Sequence, residues 1–427
     1  MSGWYRRVRD GIVAGGDTRD AAPPSSHATG DAAGEARADR GPARIGAAVI
    51  LALVAWLGIS NPWTLVFVAG LVISVFLHEV GHFVTARWAG MKVTQFYMGF
   101  GPRIWWRRRG EVEFGVRVLP VGAFVRIVGM NNLDECDPAD EPRAYRAQSY
   151  PKRMLVITAG SLMHLVIALV LFAGVYATAG RLEDTGRVRL VAPPVAGSPA
   201  EAIGLREGDV ILAVGDAAVA SQRELVEAIT AFAPGDRVVV SVLRDSQRLT
   251  VPAVLGASPV DASVAFLGVG TDSWDVRRLD PLRAVGAGAA DVGRTAVQSV
   301  GGVLTVLNPL NILRSVTDDD ADPATRPTTV VGASRLGGEL GREIGLEGPL
   351  VLLAAVNVFV GVFNMFPLLP FDGGHAAIAT YERLRTRRGR TYRADVGKMV
   401  PVATAVVALL VTLLMVGLYL DVARPIG

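Results

Sequence analysis

The chain of 427 residues holds five histidines, and two of them stand in the pattern His78-Glu79-Val80-Gly81-His82. On a helix, residues four apart share one face. Two imidazoles so placed can bind one divalent metal, and the glutamate between them can act on a water that the metal holds. The pattern closes an apolar run over 64–84. An ionised group at the centre of a bilayer helix costs roughly 2.5–3.5 kcal/mol on the insertion scale. A glutamate and two histidines in such a run therefore need compensation. A metal supplies it most simply, and the pattern is the signature of zinc proteases. A catalytic zinc also needs a third protein ligand and an open position for water. The candidate is Asp372, the acid in or beside the later run that reads Asn364-Met365-Phe366-Pro367-Leu368-Leu369-Pro370-Phe371-Asp372-Gly373-Gly374-His375. Pro367 and Pro370 break a helix by removing donors. Non-helical backbone at membrane depth is tolerated only where it lines a cavity or other protein. A plainer reading has Pro370 simply ending the span, with Asp372 as its first interfacial residue; the earlier histidine pair tips the balance towards a site wall.

The elements that must position these groups are apolar. Hydrophobic residues make up 51% of the chain and charged ones 19%, against about 25% charged in an average soluble domain. Mean hydropathy is +0.37. Five runs stand out: 45–59, 64–84, 154–179, 350–371 and 399–420. A spanning helix needs ~20 apolar residues, which the last four meet. The first is short and reads as a fifth span or a half-embedded helix. The fold class expected is an α-helical polytopic membrane protein with four or five transmembrane helices. Net charge of +3 gives no general case for nucleic-acid binding, and the single cysteine, Cys136, excludes an internal disulfide and any site of several thiolates.

Arginine-rich loops orient the spans. Arg87, Arg103, Arg107, Arg108, Arg109, Arg117 and Arg126 follow the second run. Arg383, Arg385, Arg387, Arg388, Arg390 and Arg393 precede the fifth. Both loops are expected in the cytoplasm of a bacterial cell, with the segment 180–348 outside. Residues 1–42 lack large apolar clusters and are expected to be disordered there. The domains expected are 43–90 (transmembrane, with the histidine pattern), 91–130 (a membrane-associated β-sheet, with strands at 111–119 and 123–128), 131–180 (a cytoplasmic segment and a span), 183–256, 257–348 (a linker with a weakly amphipathic helix that could lie on the membrane) and 349–427 (spans carrying Asp372). Within 183–256, strands and two helices alternate around the stretch SPAEAIGLREGDVILAVGD, which resembles a PDZ domain: an inserted α+β fold that binds extended peptides, including C-termini, by strand addition.

With HEVGH in one span, NMFPLLPFDGGH in a later one and the PDZ-like insert between them, the chain resembles the site-2 protease family of intramembrane zinc metalloproteases over most of residues 60–420. It looks most like the bacterial group with one PDZ domain that cleaves membrane-spanning anti-sigma factors. The resemblance implies zinc held by His78, His82 and Asp372, Glu79 as general base and then acid, and Asn364 holding the substrate or the developing oxyanion. It implies a single-span membrane protein as substrate, cut in regulated proteolysis at the cytoplasmic side of the membrane. Phe371 stands where the family usually has Leu, and His164 ends a Gly-rich element, Gly160-Ser161-Leu162-Met163-His164, where the family usually has Asn. His164 reads as a polar contact between helices rather than a fourth ligand. Two other functions are compatible with the composition: a non-catalytic membrane scaffold presenting the PDZ-like domain, and a metal transporter using the histidine pair.

Overall fold

The computed structural model describes residues 40–130, 136–318, 322, 325–386 and 392–424. Of the region 1–42 expected to be disordered, residues 1–39 lie outside them, as do Arg387, Arg388 and Arg390, whereas 40–42 already belong to a helix. The chain divides into two compact units. The first combines residues 1–175 with 281–427, and the second is Tyr176–Asp280.

In the first unit, helix α1 (Arg40–Ser60) runs into α2 (Pro62–Trp88). Between them Asn61 caps α2, its side chain accepting from the amides of Trp63 and Thr64, with Pro62 in the first turn. Helix α3 is Tyr150–Thr178, α9 is Glu347–Asn364, α10 is Asp372–Arg385 and α11 is Val400–Ala423. Among the described residues, α2, α3, α9 and the stretch Val396–Ala423 are long and apolar enough to cross a membrane. The apolar part of α1, Ile45–Ser60, is shorter than a span. The fifth candidate lies elsewhere. Helices α6 (Pro281–Val306) and α7 (Pro309–Thr317) meet at a 71° bend and together pass as one broken span. Asn308 caps α7 just before Pro309, which is why the helix breaks there. Gly288 of α6 fits against Ala173 and Phe172 of α3, so this stretch packs on the bundle. Helix α8 (Val330–Ile344) is stopped by Gly345 at φ +79°.

Two long strands, β1 (Val93–Arg109) and β2 (Val112–Ile127), follow α2. Strand β1 was not expected from the sequence. Strand β2 is continuous in its hydrogen bonding but reverses direction between 116 and 123, around the expected break at Pro120-Val121-Gly122. Their register reveals four paired segments. Residues 105–109 pair antiparallel with 112–116. Gln95–Met98 pairs with Glu113–Val116, with both numbers rising together, and the same Gln95–Met98 pairs antiparallel with Ala123–Arg126. The spatial order is 105–109, 112–116, 95–98, 123–126. Each strand is bent into two pieces. A core of Ala86, Met91, Val93, Phe96, Val112, Ile127, Tyr145, Val156, Ile157, Ala376 and Ala379 joins the end of α2, this sheet, the start of α3 and α10.

The second unit is a sheet in the order β10-β3-β4-β6-β7, with β5 (Ala217–Ala218) paired to β4. Its strands are β3 (Arg181–Leu190), β4 (Val210–Val214), β6 (Arg237–Arg244), β7 (Gln247–Val254) and β10 (Thr271–Arg277). A short ladder joins β8 (Gly256–Ala257) to β9 (Ala265–Phe266). Helix α4 (Pro199–Ala202) is capped by Ser198, and α5 (Gln222–Thr230) by Ser221. The strands and helices expected over 186–254 are present, but the unit extends to Asp280, because β10 pairs with β3 along their length.

Candidate active site

Helix α2 sorts its side chains by angle. At 100° per residue, His78 and His82 fall together, while Phe76, Glu79 and Phe83 fall together on an adjacent face. Phe76 and Phe83 meet Phe96 of the sheet edge to face, with centroids 5.5 and 5.4 Å apart, and Phe83 also meets Phe114. These contacts fix the rotation of α2. Glu79 is thereby turned towards the sheet, beside the backbone of Val125. The two histidines are turned towards α3 and α10.

Close approach of α2 and α3 depends on two glycines. A Cβ on Gly81 would stand 2.8 Å from the Ala159 carbonyl oxygen, and one on Gly160 would stand 2.4 Å from both His78 Cε1 and His82 Nε2. With neither side chain present, the Val156 carbonyl of α3 comes within 2.7 Å of His82 Nδ1. That nitrogen donates its proton to the carbonyl, which leaves the Nε2 lone pair free to bind a metal.

Asp372 opens α10. The backbone from 365 to 371 is not helical, so α9 ends at Asn364 and α10 starts afresh at the acid. Gly373 and Gly374 let this turn close: a Cβ on either would lie within 2.7 Å of the backbone of 365–369. Helix α10 is tied to α3 by a buried ion pair, Arg153 to Glu382 at 2.8 Å, one turn from Val156. Glu382 also accepts from the Ala394 amide at 2.9 Å.

His78 Nε2, His82 Nε2 and Asp372 Oδ2 form a triangle with edges of 3.1, 3.3 and 3.5 Å. All three ligand atoms lie within 4.8 Å of one another, although Asp372 stands 290 positions beyond His82 in the chain. Zinc bonds of about 2.0–2.1 Å in a tetrahedron separate ligand atoms by roughly 3.3 Å. Asp372 Oδ2 is buried without a hydrogen bond, which is costly unless something else occupies its lone pairs. The residues fit a zinc ion on both counts.

Asn364 is half-buried at the end of α9. Its carboxamide makes no hydrogen bond among the described residues. His164 is buried in α3, with its ring centroid 4.9 Å from that of His78. It lies outside the ligand triangle and bonds to Asn357 of α9 at 2.8 Å, which agrees with the expected contact between helices. Sequence reasoning missed the Val156 carbonyl and Asn357. Gly160 was visible there only as the start of a Gly-rich element, and Asn357 only as a polar residue interrupting the apolar run over 350–371.

A zinc-fitting triad with a glutamate beside it, carried by apolar helices, defines a zinc metalloendopeptidase. The chain belongs to Peptidase family M50, which it matches over residues 66–408, and that family consists of membrane proteins. It is 34% identical over 394 residues to zinc metalloprotease Rip1 of Mycobacterium tuberculosis, covering 84% of this chain and 97% of that protein. Identity to zinc metalloprotease Rip1 of Mycolicibacterium smegmatis is 32% over 404 residues, with the same coverage. A putative zinc metalloprotease of Nostoc is 29% identical over 331 residues, covering 74% of this chain and 85% of its own. Among solved structures, the PDZ domain of an SdrC-like protein from Listeria monocytogenes is similar at 21% identity and a TM-score of 0.18, covering 21% of this chain and 88% of that one.

Proposed function

We propose that this zinc metalloprotease cuts the membrane-spanning segments of single-span membrane proteins, with anti-sigma factors as the expected class. The convergence of His78, His82 and Asp372 from helices far apart in sequence carries this reading. His78, His82 and Asp372 hold the zinc. When bound, zinc lowers the pKa of water to about 7 and polarises a carbonyl. Glu79 takes the proton of the attacking water and returns it to the leaving amine. The free carboxamide of Asn364 holds the substrate near the site.

A substrate helix must first unwind, because its amides are locked in hydrogen bonds to carbonyls four residues back. Strand addition supplies the replacement partners. Among the described residues, the segment 123–127 has strand partners on one side only, and its Val125 backbone lies beside Glu79. A substrate strand laid along that edge would pass beside the base.

The second unit is read as the PDZ domain, placed outside the cell while the arginine-rich loops stay in the cytoplasm. Support for peptide capture comes from the turn after β9. Gly268 has φ +86°, and a Cβ there would collide with Ser198. The backbone carbonyls of Leu267, Gly268 and Gly270 accept from Ala200, Val195 and Val191, whereas the amides of Leu267, Gly268 and Val269 have no partner among the described residues. Such amides suit a peptide carboxylate.

The test is co-expression of wild type or Glu79→Gln with a single-span candidate substrate, scored by membrane proteomics and by zinc content. Glu79→Gln should retain zinc and lose about 10²–10⁴-fold in cleavage. Undiminished cleavage by that variant would refute the mechanism. A scaffold would instead lose function only on lesions in 176–280, and a transporter would move zinc across proteoliposomes.

A further inference from the structure

Among the described residues, His164 is a buried titratable side chain beside the triad that the protease reading leaves without a task. His164 is 2% exposed and lies in α3, a span candidate. An ionisable residue at that depth is costly to keep and generally marks a functional site.

Its hydrogen bonds can be followed back to an unambiguous origin. The Ser74 hydroxyl donates to the Gly70 carbonyl at 2.8 Å within α2. Its proton is committed, so its oxygen accepts from Asn357 Nδ2, 3.0 Å away. Asn357 Nδ2 also donates to the Leu353 carbonyl at 2.8 Å. Both contacts of the nitrogen are with acceptors, which fixes the carboxamide and leaves Oδ1 facing His164 Nδ1 at 2.8 Å. A carboxamide oxygen only accepts, so His164 carries its proton on Nδ1. In the neutral ring Nε2 is then a bare lone pair. Three helices, α2, α3 and α9, set this tautomer. The same logic holds at His82, where the Val156 carbonyl fixes Nδ1–H, but His82 Nε2 falls in the triangle and His164 does not.

We propose that His164 is a further site residue of the reaction, in which Asn357 holds Nδ1–H so that Nε2 accepts a hydrogen bond from the backbone N–H of the peptide being cut. The group it recognises is the scissile amide on its way to becoming an amine. A proton acceptor at that nitrogen orients the bond while Glu79 delivers the proton that releases it. The inference rests on the protease reading.

The experiment uses the full chain, purified with its zinc, and a single-span substrate in detergent. Variants are His164→Asn, His164→Ala, Asn357→Leu and Asn357→Asp, with Glu79→Gln as control. His164→Ala and Asn357→Leu should lower kcat by roughly tenfold to a hundredfold, the scale of one lost hydrogen bond at a reacting group, with KM within about twofold. Zinc content should stay at the wild-type level. Asn357→Asp sets an oxygen against the Leu353 carbonyl and the Ser74 oxygen and favours the imidazolium, so it should not restore the rate. The double variant His164→Ala, Asn357→Leu should be no worse than either single one. Nitrogen NMR of histidine-labelled protein should show His164 protonated at Nδ1 in wild type, with that signal altered in Asn357→Leu.

Loss of zinc in His164→Ala would overturn the proposal in favour of a ligand or packing role. Unchanged kcat in both His164 variants would also overturn it, as would an Nε2–H signal in wild type. If Glu79→Gln still cleaves, the protease reading itself falls. If Glu79→Gln is dead and His164→Ala is fully active, only this inference does.

Discussion

Two buried carboxylates, one in each unit, are held in opposite ways. In the sheet unit, Asp209 is 1% exposed and fully satisfied. Its carboxylate accepts from Arg244 at 2.7 and 2.6 Å and from the Arg206 amide at 2.9 Å, while Arg244 also donates to the Gly204 carbonyl at 2.8 Å. Both oxygens have donors, and nothing is left to react. In the helical unit, Asp372 Oδ2 is buried beside two imidazole nitrogens and accepts no hydrogen bond. Both carboxylates sit at positions expensive to fill with an acid. The closed one fastens β4 to β6, and the open one awaits a ligand. Satisfaction, rather than burial, separates structural acids from chemical ones in this chain.

That contrast can be broken most forcefully at Gly160. Gly160→Ala should place a methyl against both histidines and weaken zinc binding by roughly 10–100-fold or more, the scale seen when groups supporting a metal site are disturbed. A metal-buffer titration of the purified chain measures it. Wild-type affinity would show that the histidines relax freely and that the cradle is not tight.

The closed acid should respond in stability alone. Asp209→Asn leaves Arg244 short of its counter-ion and should cost the sheet unit about 2–3 kcal/mol, read as faster amide exchange in β4 and β6 of the full chain, with zinc content unchanged. The same pair predicts a pH response. Burial by itself pushes the Asp209 carboxyl up, but the Arg244 hydrogen bonds and the Arg206 amide outweigh it and hold the carboxyl below its ordinary range. A depressed carboxyl contributes stability above its unfolded pKa of about 3.9 and loses it as pH falls through the lower folded value. Exchange protection in β4 and β6 should therefore hold from neutrality to about pH 4 and decline below, and Asp209→Asn should abolish that step.

The smallest effect is expected at a pair that is neither closed nor reactive. Arg223 and Glu227 meet at 2.9 Å on α5 with side chains 76% and 61% exposed. Arg223→Ala should cost no more than about 0.5 kcal/mol, seen as a barely altered exchange rate in α5. A larger loss would mean that the helix depends on its surface charges.

The triad was legible in the sequence because its parts are local: two histidines a turn apart on one helix, and one acid behind two prolines. The apolar runs gave four of the span candidates for the same reason. What escaped notice required distant partners. Strand β1 reads as a mixture of Phe, Trp and Arg without strict alternation, since it is bent and pairs with different neighbours along its length. Strand β10 makes sense only beside β3. The stretch 281–317 has the spacing of a surface helix, yet Gly288 is a packing surface for α3 that no period reveals. The tautomer of His164 depends on Asn357, 193 positions away.

The folded-back register of β1 and β2 has a further consequence. Residues 95–98 anchor the segment facing Glu79, whereas 105–109, with Trp105 and Trp106 about half exposed, hang on the opposite edge through 112–116. The stretch 99–104 joins the two halves of β1. An insertion of one residue there would be absorbed in the connection, because pairing with 112–116 sets the face of the tryptophans, and 95–98 would keep its hold on 123–126. Evolution can thus redesign the outer rim of this sheet while the rail beside the base stays put.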